Sequence, residues 1–414
     1  MSLTEYYFLF SGKRAYLCEL VYIPLFVNYI LTDFLWRSFN YTKLVILLLV
    51  SAIIIFQGLN FLINSDLSSS LFRIRSMALP LFLIAMVNDQ IKNKEDLKRA
   101  INIILIVSLI ATVIVYLQFS TGEFYILQND SVTTDDPNFI NWYLSSTEDS
   151  YLFNLVGLHI KGPMPPVGLN YFKFGYSEKI IVPASLFFAL FKFETGKKRY
   201  VCLILFFFLF LATLLTGSRS VLLALLFAVL IIHLFYKKRL KWRFILFIIF
   251  SIFAITYMVG PLLSIVNLSE FGTLVSRMFY MDDFYKFIQD HPLVLFAGSN
   301  PESYLDLTGS LQPPHHFFVF GIIYDGIIVT IALFLIFYKL LKATKNINSN
   351  DSELLAIGYG LWTSLFGFVF IYGQTSYLTW SVPHNMFFCI IIGLLIASYR
   401  IIKKQSINFP EISE

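Results

Sequence analysis

Two arginines, Arg219 and Arg277, and the adjacent histidines His315 and His316 are the residues of this chain whose types and spacing best suit chemistry. Arg219 closes the turn Thr216-Gly217-Ser218-Arg219-Ser220 between two apolar runs, and Arg277 stands near the start of a long polar stretch from Val266 to Phe318. That stretch continues through His291-Pro292-Leu293 and Gly298 and closes on Pro313-Pro314-His315-His316, just ahead of the next apolar run. A guanidinium keeps its charge at physiological pH and offers paired donors to phosphate oxygens, so two arginines make an anion clamp. Histidine exchanges protons near neutrality. Consecutive prolines fix the backbone ahead of His315, and the helix expected after it gives a general base a rigid mount.

The elements that must position these residues are membrane spans. At 57% hydrophobic, 18% aromatic and 14% charged residues, with a mean hydropathy of +0.72, the chain holds several runs near the ~20 residues a helix needs to cross a bilayer. The expected fold is an all-α polytopic membrane protein, a single integral domain over residues 1–414. Eleven spans are expected, at about 17–36, 44–63, 72–90, 100–119, 177–195, 200–216, 220–236, 243–265, 317–340, 354–371 and 384–402. Glu19, Pro24 and Asp33 interrupt the first and Arg73, Arg75 and Pro80 weaken the third, so the count ranges from ten to twelve.

Loop charge sets the expected orientation. Basic clusters at Lys92 to Arg99, Lys192 to Arg199, Lys237 to Arg243, Lys339 to Lys345 and Arg400 to Lys404 alternate with the other loops, which makes them cytoplasmic by the positive-inside rule. The long loops 120–176 and 266–316 then face outward, and eleven spans put the N-terminus outside, against the charge of Lys13 and Arg14. Because the net charge of +5 resides mostly in short loops, no nucleic-acid partner follows from it. Outward cations are few: Lys161, Lys173, Lys179, Arg277 and Lys286. They run against the topological bias, and binding a phosphate or diphosphate is a reason for them to be there.

Other features read more plainly. His159, His291 and His384 fall on the outer side, whereas His233 lies in the inner part of a span as a structural residue. Cys18, Cys202 and Cys389 have no paired spacing and read as small core residues. Asp135-Asp136 and Asp282-Asp283 read as solvated loop carboxylates, and without HExxH or another spaced ligand set no metal and no cofactor is expected. Walker, Rossmann and nucleophile-elbow motifs are absent, as are internal repeats and a cleavable signal peptide.

The Thr-Gly-Ser-Arg turn, the large outer loop from Arg277 through His291-Pro292-Leu293 and Gly298 to His315, and Gly321 and Gly326 in the next span resemble the O-antigen ligase and Wzy-type polymerase superfamily. The likeness runs in span order and loop size from about Gly162 to Gly393. It implies a GT-C-like membrane glycosyltransferase of the bacterial inner membrane, with its site facing the periplasm. Such enzymes take glycans from an undecaprenyl diphosphate carrier. The family commonly has His-Asn where this chain has His315-His316, and Gly-x-Gly at Gly298-Ser299-Asn300. His315 aligns more naturally as the base, with His316 and the Pro383-His384-Asn385 histidine as alternatives. Lys161, ahead of a Gly/Pro-rich run, stands where relatives often have an arginine.

The expected function is a metal-independent polysaccharide polymerase joining lipid-linked repeat units, favoured over the ligase by aromatic outer loops with few cations, with Arg219, Arg277 and Lys161 on the diphosphate and inversion following from one base and one in-line displacement. Its expected partners are the lipid-linked donor and acceptor, membrane lipids and a chain-length regulator protein. An O-antigen ligase, which transfers to lipid A core, is the nearest alternative. A lipid-linked glycan flippase is a third reading, and it calls for charged residues buried along several spans. The central and C-terminal spans are nearly free of them.

Overall fold

The computed structural model describes residues 7–10, 13–34, 40–64, 70–71, 73–121, 173–216, 219–236, 284–299, 304, 317–344, 349, 351–368 and 382–408. Among these the chain is helical apart from one small antiparallel hairpin. Its strands, β1 (Tyr7–Phe10) and β2 (Lys13–Tyr16), pair Tyr7 with Tyr16 and Phe10 with Lys13. The all-α expectation holds outside this hairpin, where the aromatic run Tyr-Phe-Leu-Phe suits a strand and Ser11-Gly12 is a turn-forming dipeptide in the sequence.

Helices stand at ten of the eleven expected spans; the other, 243–265, lies outside the described residues. They are α1 (Leu17–Tyr29), continued by a π-turn at Ile30–Phe34; α2 (Tyr41–Asn64); α3 (Leu79–Gln90), preceded by a π-turn at Ile74–Ala78; α4 (Lys94–Thr121); α5 (Lys173–Phe193); α6 (Gly196–Leu215); and α7 (Arg219–Tyr236). A short α8 (Val294–Ala297) lies in the second loop, followed by α9 (Phe317–Thr344), α10 (Ser352–Phe366) and α11 (Val382–Asn408). Pro80, which weakens the third span on paper, falls in the first turn of α3, where a missing N–H is tolerated. Among the described residues, four helical stretches, Tyr41–Leu59, Lys94–Ser120, Gly196–Leu215 and Asn385–Gln405, are long and apolar enough to cross a membrane.

Helix α5 is apolar on every side and packs against α6, α7 and α10, and residues 180–190 are buried throughout. Close approach depends on small residues: a Cβ on Gly360 of α10 would sit 2.9 Å from the Leu186 Cα of α5. Between lipid-immersed helices such backbone contact supplies packing energy that the hydrophobic effect does not. Trp362 stacks on Phe366 at 5.2 Å, and Phe366 on Phe227 of α7 at 5.6 Å, filling the space beside α5. Cys202 and Cys389 are free and buried, as small core residues should be.

Charge gathers one end of the bundle. Lys94 pairs with Asp351, and Lys98 and Lys198 reach Glu353 at 2.9 and 3.0 Å, joining the starts of α4, α6 and α10. Asp351 also caps α10, accepting from the backbone N–H groups of Glu353 and Leu354 at 3.1 and 3.2 Å. Arg400 of α11 donates to the carbonyl of Asn88 at 2.7 Å and to that of Ile91 at the end of α3. Asp89 of α3 accepts from Tyr29 of α1 at 2.7 Å and pairs with Lys43 of α2 at 3.3 Å. The basic residues Lys94, Lys98, Lys198 and Arg400 thus share one end, and α1 finishes there, so it starts from the other.

This cluster is also a pH-sensitive tie. Burial pushes the Glu353 carboxyl up, but hydrogen bonds from Lys98 and Lys198 and the charges behind them outweigh it and hold the group below the usual glutamate range. A carboxylate depressed in the folded state stabilises fully above its unfolded value, about 4.3, and loses that contribution as pH falls through the lower folded value. Thermal melts of the solubilised protein should therefore show a drop in Tm below about pH 4 that is smaller in Glu353→Gln. An identical acid profile in the variant would remove Glu353 from the tie.

Candidate functional site

Chain direction decides where the predicted site residues lie. Helix α6 starts at the charged end with Lys198, so it finishes at the opposite one, and Arg219 begins α7 there. Helix α11 runs into the charged end at Arg400, which leaves His384, in its first turn, at the far end. Because α10 starts at the charged end, the part of α9 that follows its break at Gly326 runs toward that end, and Phe317, the first residue of α9, directly follows His316 in sequence. The structure thus brings the helix starts that carry Arg219 and His384 to one end of the bundle. Lys161, Arg277, His315 and His316 themselves lie outside the described residues, as do Asp135, Asp136, Asp282 and Asp283.

The Thr216 turn is built by local hydrogen bonds. Thr216 is fully buried; its N–H donates to Ala212 at 3.2 Å and its hydroxyl to the Thr213 carbonyl at 2.8 Å, ending α6. Helix α7 starts again at Arg219, and the first turn of a helix presents N–H groups that no intrahelical carbonyl accepts, an arrangement that favours an anion. One turn deeper, Ala224 of α7, Ile181 of α5 and Gly367 after α10 meet. Lys179, two residues ahead of Ile181, is buried at 7% exposure, so the end of the bundle near Arg219 holds a second, interior cation.

The described part of the second loop is anchored on α9. Residues 284–290 are helical, and Phe284, Phe287 and Tyr304 form a small core with Ile323 of α9. Phe287 meets Tyr304 edge-on at 4.8 Å and His291 at 5.4 Å; His291 and Lys286 are exposed. Gly298 ends α8 at φ +77°, and the next N–H, on Ser299, donates to the Ile323 carbonyl at 2.5 Å. Gly326 sits at φ +79°, and a Cβ there would lie 2.1 Å from the Phe296 carbonyl oxygen. Helix α9 is therefore broken at Gly326 rather than continuous over 317–340, because the loop backbone occupies the space a side chain would need.

Beside that break lies a group that sequence reasoning missed. Arg73 donates through Nε to Asp325 Oδ1 at 3.2 Å and through Nη2 to Oδ2, and Gln57 of α2 donates to the same Oδ1 at 3.4 Å. Arg73 is 2% exposed and Asp325 1%. The expectation of a central and C-terminal region nearly free of buried charge is corrected here. Asp325 is the single carboxylate in 317–340 and directly precedes Gly326, a signal that sequence reading had available. Among the described residues no group of three or more His, Cys, Asp or Glu side chains is placed to hold a metal.

A family model described as O-antigen ligase matches residues 204–334 of this chain. The match covers the Thr216 to Ser220 turn, the second loop and the start of α9, the segment that carries the resemblance drawn from the sequence. No curated protein matches the chain.

Proposed function

We propose that this integral membrane protein is a polysaccharide polymerase that moves a glycan from undecaprenyl diphosphate to the terminal sugar of another lipid-linked repeat unit. The observation that carries the reading is that the segment matching the O-antigen ligase family, 204–334, contains Arg219, Arg277, His315 and His316 together. In this mechanism the acceptor hydroxyl attacks the anomeric carbon as His315 takes its proton. The bond from that carbon to the phosphate oxygen breaks, and the diphosphate leaves with the electron pair. Arg219 and Arg277, helped by Lys161, neutralise the charge that develops on it. A single in-line displacement inverts the anomeric configuration. The site faces the periplasm of the bacterial inner membrane, opposite the basic clusters.

Two arginines supply the charge that a divalent cation supplies in other glycosyl transfers. Purified protein in liposomes, given lipid-linked repeat units, should make polymer at an unchanged rate in EDTA. Loss of activity in EDTA and its return with Mg²⁺ would overturn the metal-free mechanism and bring Asp282 and Asp283 forward as ligands.

A second reading, the ligase, is favoured by the description of the matching family itself. Against it stands the character of the outer loops. They carry Tyr125, Trp142, Tyr143, Tyr151, Tyr171 and Tyr280 and few cations, which suits sugar stacking better than the phosphates of a lipid A core.

A further inference from the structure

We infer that Arg73 and Asp325 are positioning residues, whose buried ion pair sets the outer piece of α9, the helix that follows His315-His316 in the sequence, and the loop segment 291–299 against the N-terminal helices. The kinetic consequence rests on the proposed glycan transfer; the structural one does not. An ion pair that merely held helices together has apolar replacements that are often as stable, so stability does not explain it. What a two-point pair adds is direction.

Direction matters here because α9 is broken directly after Asp325. Residues 317–325 form a separate rigid piece whose angle the rest of the helix does not dictate. The described contacts that tie that region to the loop include the Phe296 carbonyl packed on Gly326, the Ser299 N–H on the Ile323 carbonyl and the core of Phe284, Phe287 and Tyr304 on Ile323. Piece and loop therefore move as one body. The Thr330 hydroxyl, donating to the Gly326 carbonyl at 2.9 Å, steadies the far side of the break. Toward the N-terminal half, the described directional contacts include those of Arg73 and Gln57 on Asp325, added to the packing of α2 on α8 and α9. Loosening the pair lets the body swivel and carries the base away from an acceptor held by other elements.

The test uses the full chain with Cys18, Cys202 and Cys389 changed to alanine and spin labels on Leu293→Cys and Ile106→Cys, both exposed positions. Arg73→Met/Asp325→Leu removes both charges of the pair, so neither is left buried without the other and the variant should remain monodisperse. Its distance distribution should broaden, and kcat should fall about 100-fold, as a displaced catalytic group costs, with KM for the donor changing far less. Arg73→Lys keeps the charge but loses the second donor, so a smaller broadening and a smaller loss are expected. An unchanged distance distribution in both variants overturns the inference, as does a broadened one with wild-type kcat. If the unsubstituted protein transfers no glycan, the proposed reaction fails. The distance distributions then decide by themselves whether the pair sets the loop.

Discussion

Arg219→Lys, Arg277→Lys and His315→Ala are each expected to remove most glycan transfer while the protein stays folded in the membrane. Lysine keeps the charge but loses the paired donors that fit two phosphate oxygens, so a clamp fails where a snorkelling arginine would not. Removing one preorganised donor to a developing oxyanion costs about 100- to 1000-fold in kcat, and removing a general base about 100- to 10,000-fold. The position of Arg219 makes the test specific. It begins α7 at the end of the bundle away from the lysine and Glu353 cluster, so its replacement leaves that tie intact. Polymer formation by the purified variants, with size-exclusion profiles as the control for folding, measures the effect. Wild-type activity in both arginine variants would sink the clamp. Inactive His316→Ala beside active His315→Ala would move the base by one residue, and an inactive His384→Ala with both others active would move it to the start of α11.

Deleting the gene in its host should leave surface glycan of core bearing a single repeat unit, with every longer chain gone. Polymerase and ligase share the donor diphosphate and the base, so the substitutions above cannot tell them apart; only the acceptor differs. A ligase must receive a core anchored in the same leaflet and rich in phosphate, which calls for a wide opening lined by cations. Of the cations expected on the outer side, Lys286 is exposed and Lys179 is buried among the described residues. Gel separation of the surface glycan decides. Bare core, with long chains accumulating on the undecaprenyl carrier, would mean ligase.

The sequence by itself determined the membrane class, the helices and the turn that carries Arg219, because these depend on local hydrophobicity and charge. A run of apolar residues has one low-energy state in lipid, a helix with its own backbone paired, whatever its neighbours do. The basic clusters were legible for the same reason, although that Lys94, Lys98 and Lys198 converge on Asp351 and Glu353 emerges only from the packing. Arg73 reads as a defect in a span until it is seen facing Asp325, 252 residues away in the chain. Gly326 reads as a tolerated helix glycine until the Phe296 carbonyl is found where its side chain would be. A charge is unfavourable in an apolar run taken alone and becomes acceptable only when a partner from another helix satisfies it. Such pairings, and the broken helix they hold, depend on contacts between distant segments, and only the tertiary structure decided them.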